Sequence, residues 1–298
     1  MKADILLTGA TGYIGGRLLR HFEEAGRAVR CIARRPERIA PQRPTTEVVR
    51  GDCLDEASLD RALAGVRSAY YLVHSMADGS QFAELDRRAA GHFGRAAARA
   101  GVQRIIYLGG LSDGIGAPSA HLQSRADTGD ALRAGGVPVI EFRASIVIGA
   151  GSLSFEMIRA LVERLPVMVC PRWVSVETQP VALFDVVAAL IGVCGKEATY
   201  GESFDLGGPE VMSYRKMMER VAHIRGKRPL LIEVPFLTPR LSSLWLYLVT
   251  PASVAVARPL VDGLRIPTVA HDDRIWGLLE VQRTTFDDAI ASALLERG

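Results

Sequence analysis

"TGATGYIGGR" (residues 8–17) contains four glycines among ten residues and directly follows the apolar run at residues 5–7. A change from large apolar residues to residues with almost no side chain indicates a turn at which something approaches the backbone closely. In a strand–turn–helix unit, such a turn lets backbone amides at the helix N-terminus reach the phosphates of a nucleotide. The spacing predicts a tight turn at Gly9, phosphate approach at Gly12 and close packing of helix on strand at Gly15.

The same physical unit recurs further along the chain. Three helix-like stretches end in a Gly-Val pair and are followed by an apolar run, at Gly65-Val66, Gly101-Val102 and Gly136-Val137. Glycine ends helices in the left-handed conformation, and valine favours strands. Because strands alternate with helices and show little polar alternation, the sequence predicts an α/β fold, with a doubly wound parallel sheet covered on both faces.

Hydrophobic periodicity predicts the individual elements. We expect helices over residues 12–25 and 81–100 and strands over residues 29–33 and 46–50. "SFEMIRALVERLPVM" (154–168) predicts an amphipathic helix that ends at Pro166.

Length and composition are those of a globular protein with a buried core, at 298 residues, 48% hydrophobic and 23% charged. We expect a nucleotide-binding domain over residues 1–150 and a small C-terminal substrate lobe over residues 151–298, interleaved with the last strands of the sheet. The net charge of +3 is too small to indicate nucleic-acid binding. Residues 1–50 carry ten Lys and Arg against five acids, which indicates a local anion site.

The cysteines predict neither a disulfide framework nor a metal site. None of Cys31, Cys53, Cys170 and Cys194 has a C-x-x-C partner or a nearby histidine at ligand spacing. We therefore expect free, buried thiols in a reducing cytoplasm. The start of the chain also lacks a signal-peptide pattern, which agrees with a cytoplasmic location.

The end of the second strand indicates which dinucleotide binds. An acid at this position would hold the ribose hydroxyls of NAD, but the sequence has Ala33, Arg34 and Arg35 there. Two guanidinium groups suit a phosphate dianion, so we expect NADP(H). A solvated basic loop is the alternative interpretation.

Several motifs, in order, resemble a known family. "TGATGYIGG" (8–16) is similar to the glycine fingerprint of the short-chain dehydrogenase/reductase superfamily, in its extended and atypical branches. "GDCLD" (51–55) resembles the aspartate motif at the adenine ring, and "FRASIVIGAG" (142–151) resembles the stretch over the nicotinamide. "QPVALFDVVAAL" (179–190) and "FDLGGPE" (204–210) resemble later segments of the same branch. NmrA-like NAD(P)H-binding proteins are the most similar members.

The resemblance implies a Rossmann fold with a bound NADP(H). Together with the glycine turn and the arginine pair, it implies cofactor contacts from the following residues: Gly9, Thr11, Gly12, Tyr13, Ile14, Gly15, Arg34, Arg35, Asp52, Cys53, Val73, His74, Arg125 and Ser145.

The family's catalytic Tyr-x-x-x-Lys pair is replaced in this chain. Alignment on the following strand matches the pair to "HLQSR", so His121 stands for the tyrosine and Arg125 for the lysine. His121 can donate a proton to a carbonyl oxygen, and Arg125 can bind ribose hydroxyls. A solvent-facing helix histidine is the alternative interpretation of His121.

Two further positions carry candidate catalytic groups. The strand end that offers a serine in the family has Gly109 and Gly110, with Ser112 shortly after. His74 follows the fourth strand, at the sheet edge where ligands bind in this fold. A structural hydrogen bond at the strand end explains His74 equally well.

Two functions remain open from the sequence. One is an oxidoreductase that transfers hydride between NADPH and an apolar carbonyl, enone or quinone. The other is a non-catalytic NADPH-binding redox sensor or accessory module, for which the family has precedents. Residues 241–257 are uncharged but interrupted by Pro251, so we expect no membrane span there. A pocket wall, a homodimer face and shallow membrane contact are the alternatives for this run.

Overall fold

The computed structural model describes residues 3–74, 82–112, 119–234 and 266–296, which form a seven-stranded parallel sheet with helices on both faces. In spatial order the strands are β3 (Thr46–Arg50), β2 (Val29–Ala33), β1 (Ile5–Thr8), β4 (Ser68–Tyr71), β5 (Arg104–Gly110), β6 (Val139–Ala144) and β11 (Ser203–Leu206). The chain runs outward from β1 in one direction and then outward from β4 in the other. This order is that of a doubly wound fold and confirms the predicted fold class.

The helices that cover the sheet enclose two apolar layers, one on each face of the sheet. Helices α1 (Tyr13–Glu24) and α6 (Leu183–Gly192) bury leucines and Phe22 against one face. The other face is covered by α2 (Glu56–Leu63), α3 (Phe82–Arg99) and α4 (Ala120–Arg133). The predicted helix ends have the expected conformation, because Gly65, Gly101 and Gly136 have φ values of 77°, 71° and 89°.

A third apolar cluster lies in the C-terminal part of the chain. Helices α5 (Leu153–Arg164), α7 (Tyr214–Ile224) and α9 (Phe286–Leu295) pack together around Phe155 and Met217. Helix α8 (Arg274–Leu279) instead joins α6 on the main sheet. The remaining strands are β7 (Val147–Ile148), β8 (Val167–Pro171), β9 (Glu177–Thr178), β10 (Val181–Ala182), β12 (Met212–Ser213) and β13 (Leu230–Val234).

The helix within residues 154–168 was predicted to end at Pro166, and it ends two residues earlier. Helix α5 ends at Arg164, and the residues after Pro166 form strand β8, which pairs in parallel with β13. A proline disfavours helical backbone in the residue before it, and Leu165 is already extended at φ −116° and ψ 115°. The helix therefore ends before the proline.

The uncharged run at residues 241–257, where we expect no membrane span, lies outside the described residues. Among the helices that the structure describes, none is long and apolar enough to cross a membrane.

Strands β1 and β4 meet where the winding direction of the sheet reverses. The Thr8 hydroxyl donates to the Tyr70 carbonyl at 3.0 Å and accepts from the Leu72 amide at 2.8 Å. These bonds fix the carboxyl ends of β1 and β4 beside each other. The crevice beyond them is where this fold binds dinucleotides.

Candidate functional site

The glycine turn between β1 and α1 is closed by its own backbone. Gly9 has φ 69°, and a Cβ atom there would lie 2.5 Å from the Leu72 carbonyl oxygen. A Cβ atom at Gly15 would lie 2.1 Å from the Gly9 carbonyl oxygen. Packing within the protein therefore requires both glycines, and the contact of Gly15 is with the turn itself rather than with strand β1.

Gly12 differs from these two glycines because it faces outward. It is exposed at the N-cap of α1, and its amide donates to the Gly9 carbonyl at 2.8 Å. In the described part of the chain, a Cβ atom there would contact only that carbonyl oxygen, at 3.1 Å. The bare helix N-terminus behind an exposed glycine fits a pyrophosphate group, because unpaired amides and the helix dipole attract anions.

Side chains next to Gly12 differ in exposure. Thr11 is exposed, and Ile14 is partly buried against the core beneath α1. The Tyr13 ring packs beside Gly149 and Gly151, and its hydroxyl is buried without a hydrogen-bond partner in the described part of the chain. Burial raises the pKa of Tyr13 to about 12, so the phenol stays protonated.

The two arginines after β2 are exposed cations at the same sheet edge. Arg34 follows the strand directly, and Arg35 precedes the short 3₁₀ turn Pro36–Arg38. No ion pair within the described residues joins either guanidinium, whereas the nearby Glu37 lies 3.8 Å from Arg50. Both arginines can therefore bind an anion.

The carboxyl ends of β3 and β4 contribute Asp52, Cys53 and Val73. The Asp52 carboxylate accepts from the Leu54 amide at 2.9 Å and so shapes the turn. Burial raises the pKa of the Cys53 thiol to about 12, and Val73 packs against the core next to it. Cys53 is therefore a neutral apolar group at this edge.

His74 and His121 form a pair next to this edge. His74 Nε2 lies 3.2 Å from His121 Nδ1, and the ring centroids are 4.8 Å apart in an edge-to-face arrangement. His74 Nδ1 lies 3.0 Å from Asp86 Oδ2 on α3. The carboxylate and the His74 ring are largely buried, with side-chain exposures of 6% and 14%.

Sequence reasoning did not find Asp86. The sequence does contain one signal, because Asp86 shares the buried stripe of α3 with Ala89, Ala90 and Phe93. An acid in an otherwise apolar stripe is costly unless it is hydrogen-bonded or paired.

The environment of His121 keeps its ring neutral. Burial, followed by the positive charges of His74 and Arg125, lowers the pKa of His121 to about 4, while Asp86 opposes this shift. At neutral pH the imidazole therefore has one protonated nitrogen and one lone pair.

Arg125 lies one helical turn after His121 and reaches the end of β5. Its Nη2 donates to the Leu108 carbonyl, and its guanidinium lies 5.5 Å from the centre of the Tyr107 ring. The Tyr107 hydroxyl donates to the Arg125 carbonyl at 2.8 Å. These contacts attach the start of α4 to β5.

The two predicted serines lie in different surroundings. Ser112 lines a cavity of about 360 Å³ between α4 and the edge strands, and neither histidine is among the described residues around it. Ser145 lies at the end of β6, where its hydroxyl is 2.6 Å from that of Thr178 and 2.7 Å from that of Thr268. The structure thus brings His74 and His121 into direct contact, with Arg125 one helical turn after His121, and places Ser112 in a cavity that Leu122 also lines.

Comparisons with known proteins agree with this architecture. A family model for NAD(P)H-binding proteins matches residues 9–134. The (4-alkanoyl-5-oxo-2,5-dihydrofuran-3-yl)methyl phosphate reductase of Streptomyces griseus is 32% identical, over 77% of this chain and 76% of its own length. The ceramide reductase of Caulobacter vibrioides is 27% identical, over 78% of this chain and 74% of its own length.

Solved structures show the same fold. The triphenylmethane reductase of Citrobacter sp., crystallised with NADP(H), matches with a TM-score of 0.75 at 21% identity. The match covers 97% of this chain and 99% of that one. It therefore extends through the C-terminal part as well as the central sheet.

Proposed function

The chain belongs to the NAD(P)H-binding short-chain dehydrogenase/reductase superfamily, in its atypical branch, and we propose that it is an NADPH-dependent reductase of an apolar carbonyl, enone or quinone. The single observation that carries this proposal is the contact between His121 and His74, at 3.2 Å, beside the dinucleotide crevice. A reductase needs a proton donor within reach of the substrate oxygen. His121 occupies the position that the family gives to its tyrosine donor.

Residues at the other end of the crevice support the choice of NADPH. Arg34 and Arg35 are exposed, and no described acid pairs with either of them. A 2′-phosphate would supply the missing anion, and a guanidinium pair can bind it through several charge-assisted hydrogen bonds. Gly12 and the N-terminus of α1 would hold the pyrophosphate.

Each side chain in the central part of the site has a separate role. When bound, the cofactor supplies a hydride to the substrate carbon. His121 is the catalytic residue, because its second ring nitrogen can give a proton to the substrate oxygen. Arg125 holds the start of α4 on β5, and its remaining N–H groups can bind the nicotinamide ribose.

The relatives support a substrate with an alkyl chain. The substrate of the Streptomyces griseus enzyme has an alkanoyl group on an unsaturated oxo ring that also carries a methyl phosphate, and the Caulobacter vibrioides enzyme is a ceramide reductase. Both substrates therefore combine an alkyl chain with a carbonyl group. The uncharged run at residues 241–257 is a further apolar element of the sequence.

Oxidation of NADPH, followed by its absorbance, tests the proposal. The purified chain should oxidise NADPH with a long-chain ketone, an alkanoyl enone or a lipophilic quinone, and much more slowly with a short polar carbonyl compound. His121→Ala should lower turnover by roughly 10²–10⁴-fold without changing the affinity for NADPH. The exposed His223 offers a matched control, His223→Ala, which should leave turnover unchanged.

The outcome also decides between the two functions. Tight NADPH binding without turnover of any of these compounds would refute the reductase and favour a redox sensor. Turnover that is unchanged in His121→Ala would refute His121 as the donor.

A further inference from the structure

Three side chains from three elements form one hydrogen-bonded line in the protein interior. Asp86 belongs to α3, His74 follows β4, and His121 lies in the first turn of α4. The two contacts, at 3.0 Å and 3.2 Å, use both ring nitrogens of His74. The His121 Nδ1 atom is thereby engaged, so Nε2 is the nitrogen that remains for a ligand.

The hydrogen bond between the two histidines can run in either direction, depending on how many protons the two rings hold. Asp86 Oδ2 accepts, so His74 Nδ1 donates to it. With one proton on each ring, His74 Nε2 is a lone pair, His121 Nδ1 donates to it, and His121 Nε2 is left as an acceptor. With one additional proton on His74, both His74 nitrogens donate, His121 Nδ1 accepts, and His121 Nε2 carries a hydrogen.

The additional proton belongs on His74 rather than on His121. Burial and the Arg125 guanidinium lower the pKa of His121, whereas His74 is in direct contact with the Asp86 carboxylate. Among the described residues, Tyr71 and Tyr107 on the sheet also interact with Asp86, and burial raises the pKa of both. Both phenols therefore stay neutral, and Asp86 is the anion that stabilises the added proton.

We propose that Asp86, His74 and His121 form a proton relay in which His74 stores the proton that His121 delivers to the substrate oxygen. The relay rests on the proposed reductase function. While the substrate carbon gains the hydride, its oxygen takes the proton from His121 Nε2. His121 Nδ1 takes the proton from His74 Nε2, and His74 keeps its Nδ1 proton towards Asp86.

The step balances with the hydride of the cofactor, the proton held by the relay and a proton that water returns afterwards. The substrate gains two electrons with the hydride and one proton from the relay, and Asp86 stays a carboxylate throughout. Both rings end with one proton each, and water restores the additional proton. In the reverse reaction the neutral line presents the His121 Nε2 lone pair, which is the base that alcohol oxidation requires. Asp86 and His74 are positioning residues, because neither needs to touch the substrate.

Nuclear magnetic resonance of the cofactor-free protein tests the relay apart from activity. With ¹⁵N-labelled histidine, long-range proton–nitrogen correlations report which ring nitrogens are protonated. As the pH falls, His74 should gain its second proton while the His121 proton moves from Nδ1 to Nε2, in one shared transition. A His121 ring that keeps the same protonated nitrogen throughout this transition would overturn the relay.

Asp86→Asn is the decisive variant, because an amide of similar size removes the charge that stabilises the added proton. The shared transition should move to lower pH. Asp127→Asn on α4, where the carboxylate accepts from Gln123 Nε2 at 2.7 Å, is the matched control and should leave the transition where it is. His92, on the same helix as Asp86, is an internal reference whose resonances should not follow either variant. An unchanged transition in Asp86→Asn protein that has native thermal stability would refute the role of Asp86.

Kinetics separates failure of the relay from failure of the reductase. At saturating NADPH, the rate of reduction should fall as the pH rises through the shared transition. Asp86→Asn should move this falling limb of the pH–rate profile by the same pH interval as it moves the transition seen by magnetic resonance. His74→Gln, which retains hydrogen bonding but cannot titrate, should abolish the limb. Turnover without the limb refutes the relay and leaves the reductase intact. The shared transition without any turnover refutes the reductase and, with it, delivery of the proton to a substrate.

Discussion

Gly15 on helix α1 packs against the backbone of Gly9, and a Cβ atom at Gly15 would lie 2.1 Å from the Gly9 carbonyl oxygen. This distance is far inside van der Waals contact, and the obstacle is backbone rather than a movable side chain. The helix and the turn therefore fit together only because Gly15 has no side chain. The contact between Gly15 and Gly9 therefore fixes the position of the N-terminus of α1.

Gly15→Ala should destabilise the protein for this reason. Overpacking at such sites costs about 1–3 kcal/mol, measured as the free energy of unfolding in urea. Gly277→Ala is the matched control, because Gly277 lies in helix α8 and a Cβ atom there meets no atom of the described residues within 4 Å. It should leave stability unchanged or raise it by up to about 1 kcal/mol. Equal stability of the two variants would contradict the packing argument.

Gly12→Val should abolish NADPH binding and leave the protein folded. The backbone at Gly12 has φ −85°, which valine adopts readily, and the new side chain would point into the space before the helix N-terminus. Calorimetric titration with NADPH, together with a thermal melt, separates binding from folding. NADPH affinity equal to that of the wild type would mean that Gly12 serves the turn alone.

Sequence reasoning predicted the sheet well because its signals were local. Strands 29–33 and 46–50 have the observed bounds, and the glycines at helix ends have the expected left-handed conformation. Helix α5 ends two residues before the predicted position at Pro166, because a proline also disfavours helical backbone in the residue before it.

The relation between His74 and His121 depends on topology rather than on local pattern. The two residues are 47 positions apart and meet because β4 and β5 are neighbours and α4 follows β5. Both were candidates from the sequence, but their direct contact was not predicted. Asp86 adds a third element, α3, whose rotation about its own axis decides which side chain faces His74.

Arg34→Ala with Arg35→Ala should erase the preference for NADPH. The intact protein should bind NADPH at least about tenfold more tightly than NADH, because only the 2′-phosphate engages the two guanidinium groups. The double variant should lose that factor and keep its affinity for NADH. Arg38→Ala removes a nearby exposed charge and should change neither affinity by more than a small factor. Equal dissociation constants of the intact protein for the two cofactors would refute the NADPH assignment.

His121→Gln should change how stability depends on pH. The pKa of His121 is lowered from 6.5 to about 4 in the folded protein, mainly by burial, so the unfolded chain binds more protons between these values. The wild-type free energy of unfolding should therefore fall as the pH drops from 6.5 towards 4, by up to about 1 kcal/mol per pH unit from this residue. Above pH 6.5 both states hold the ring neutral, and the contribution is flat. Glutamine does not titrate, so the difference in the free energy of urea unfolding between wild type and His121→Gln should grow only within that window.

His223→Gln, at an exposed site on α7, is the matched control and should give a curve parallel to that of the wild type. A parallel curve for His121→Gln itself would show that the folded protein does not keep this ring neutral, and the direction of proton transfer inferred for the line from Asp86 would lose its basis.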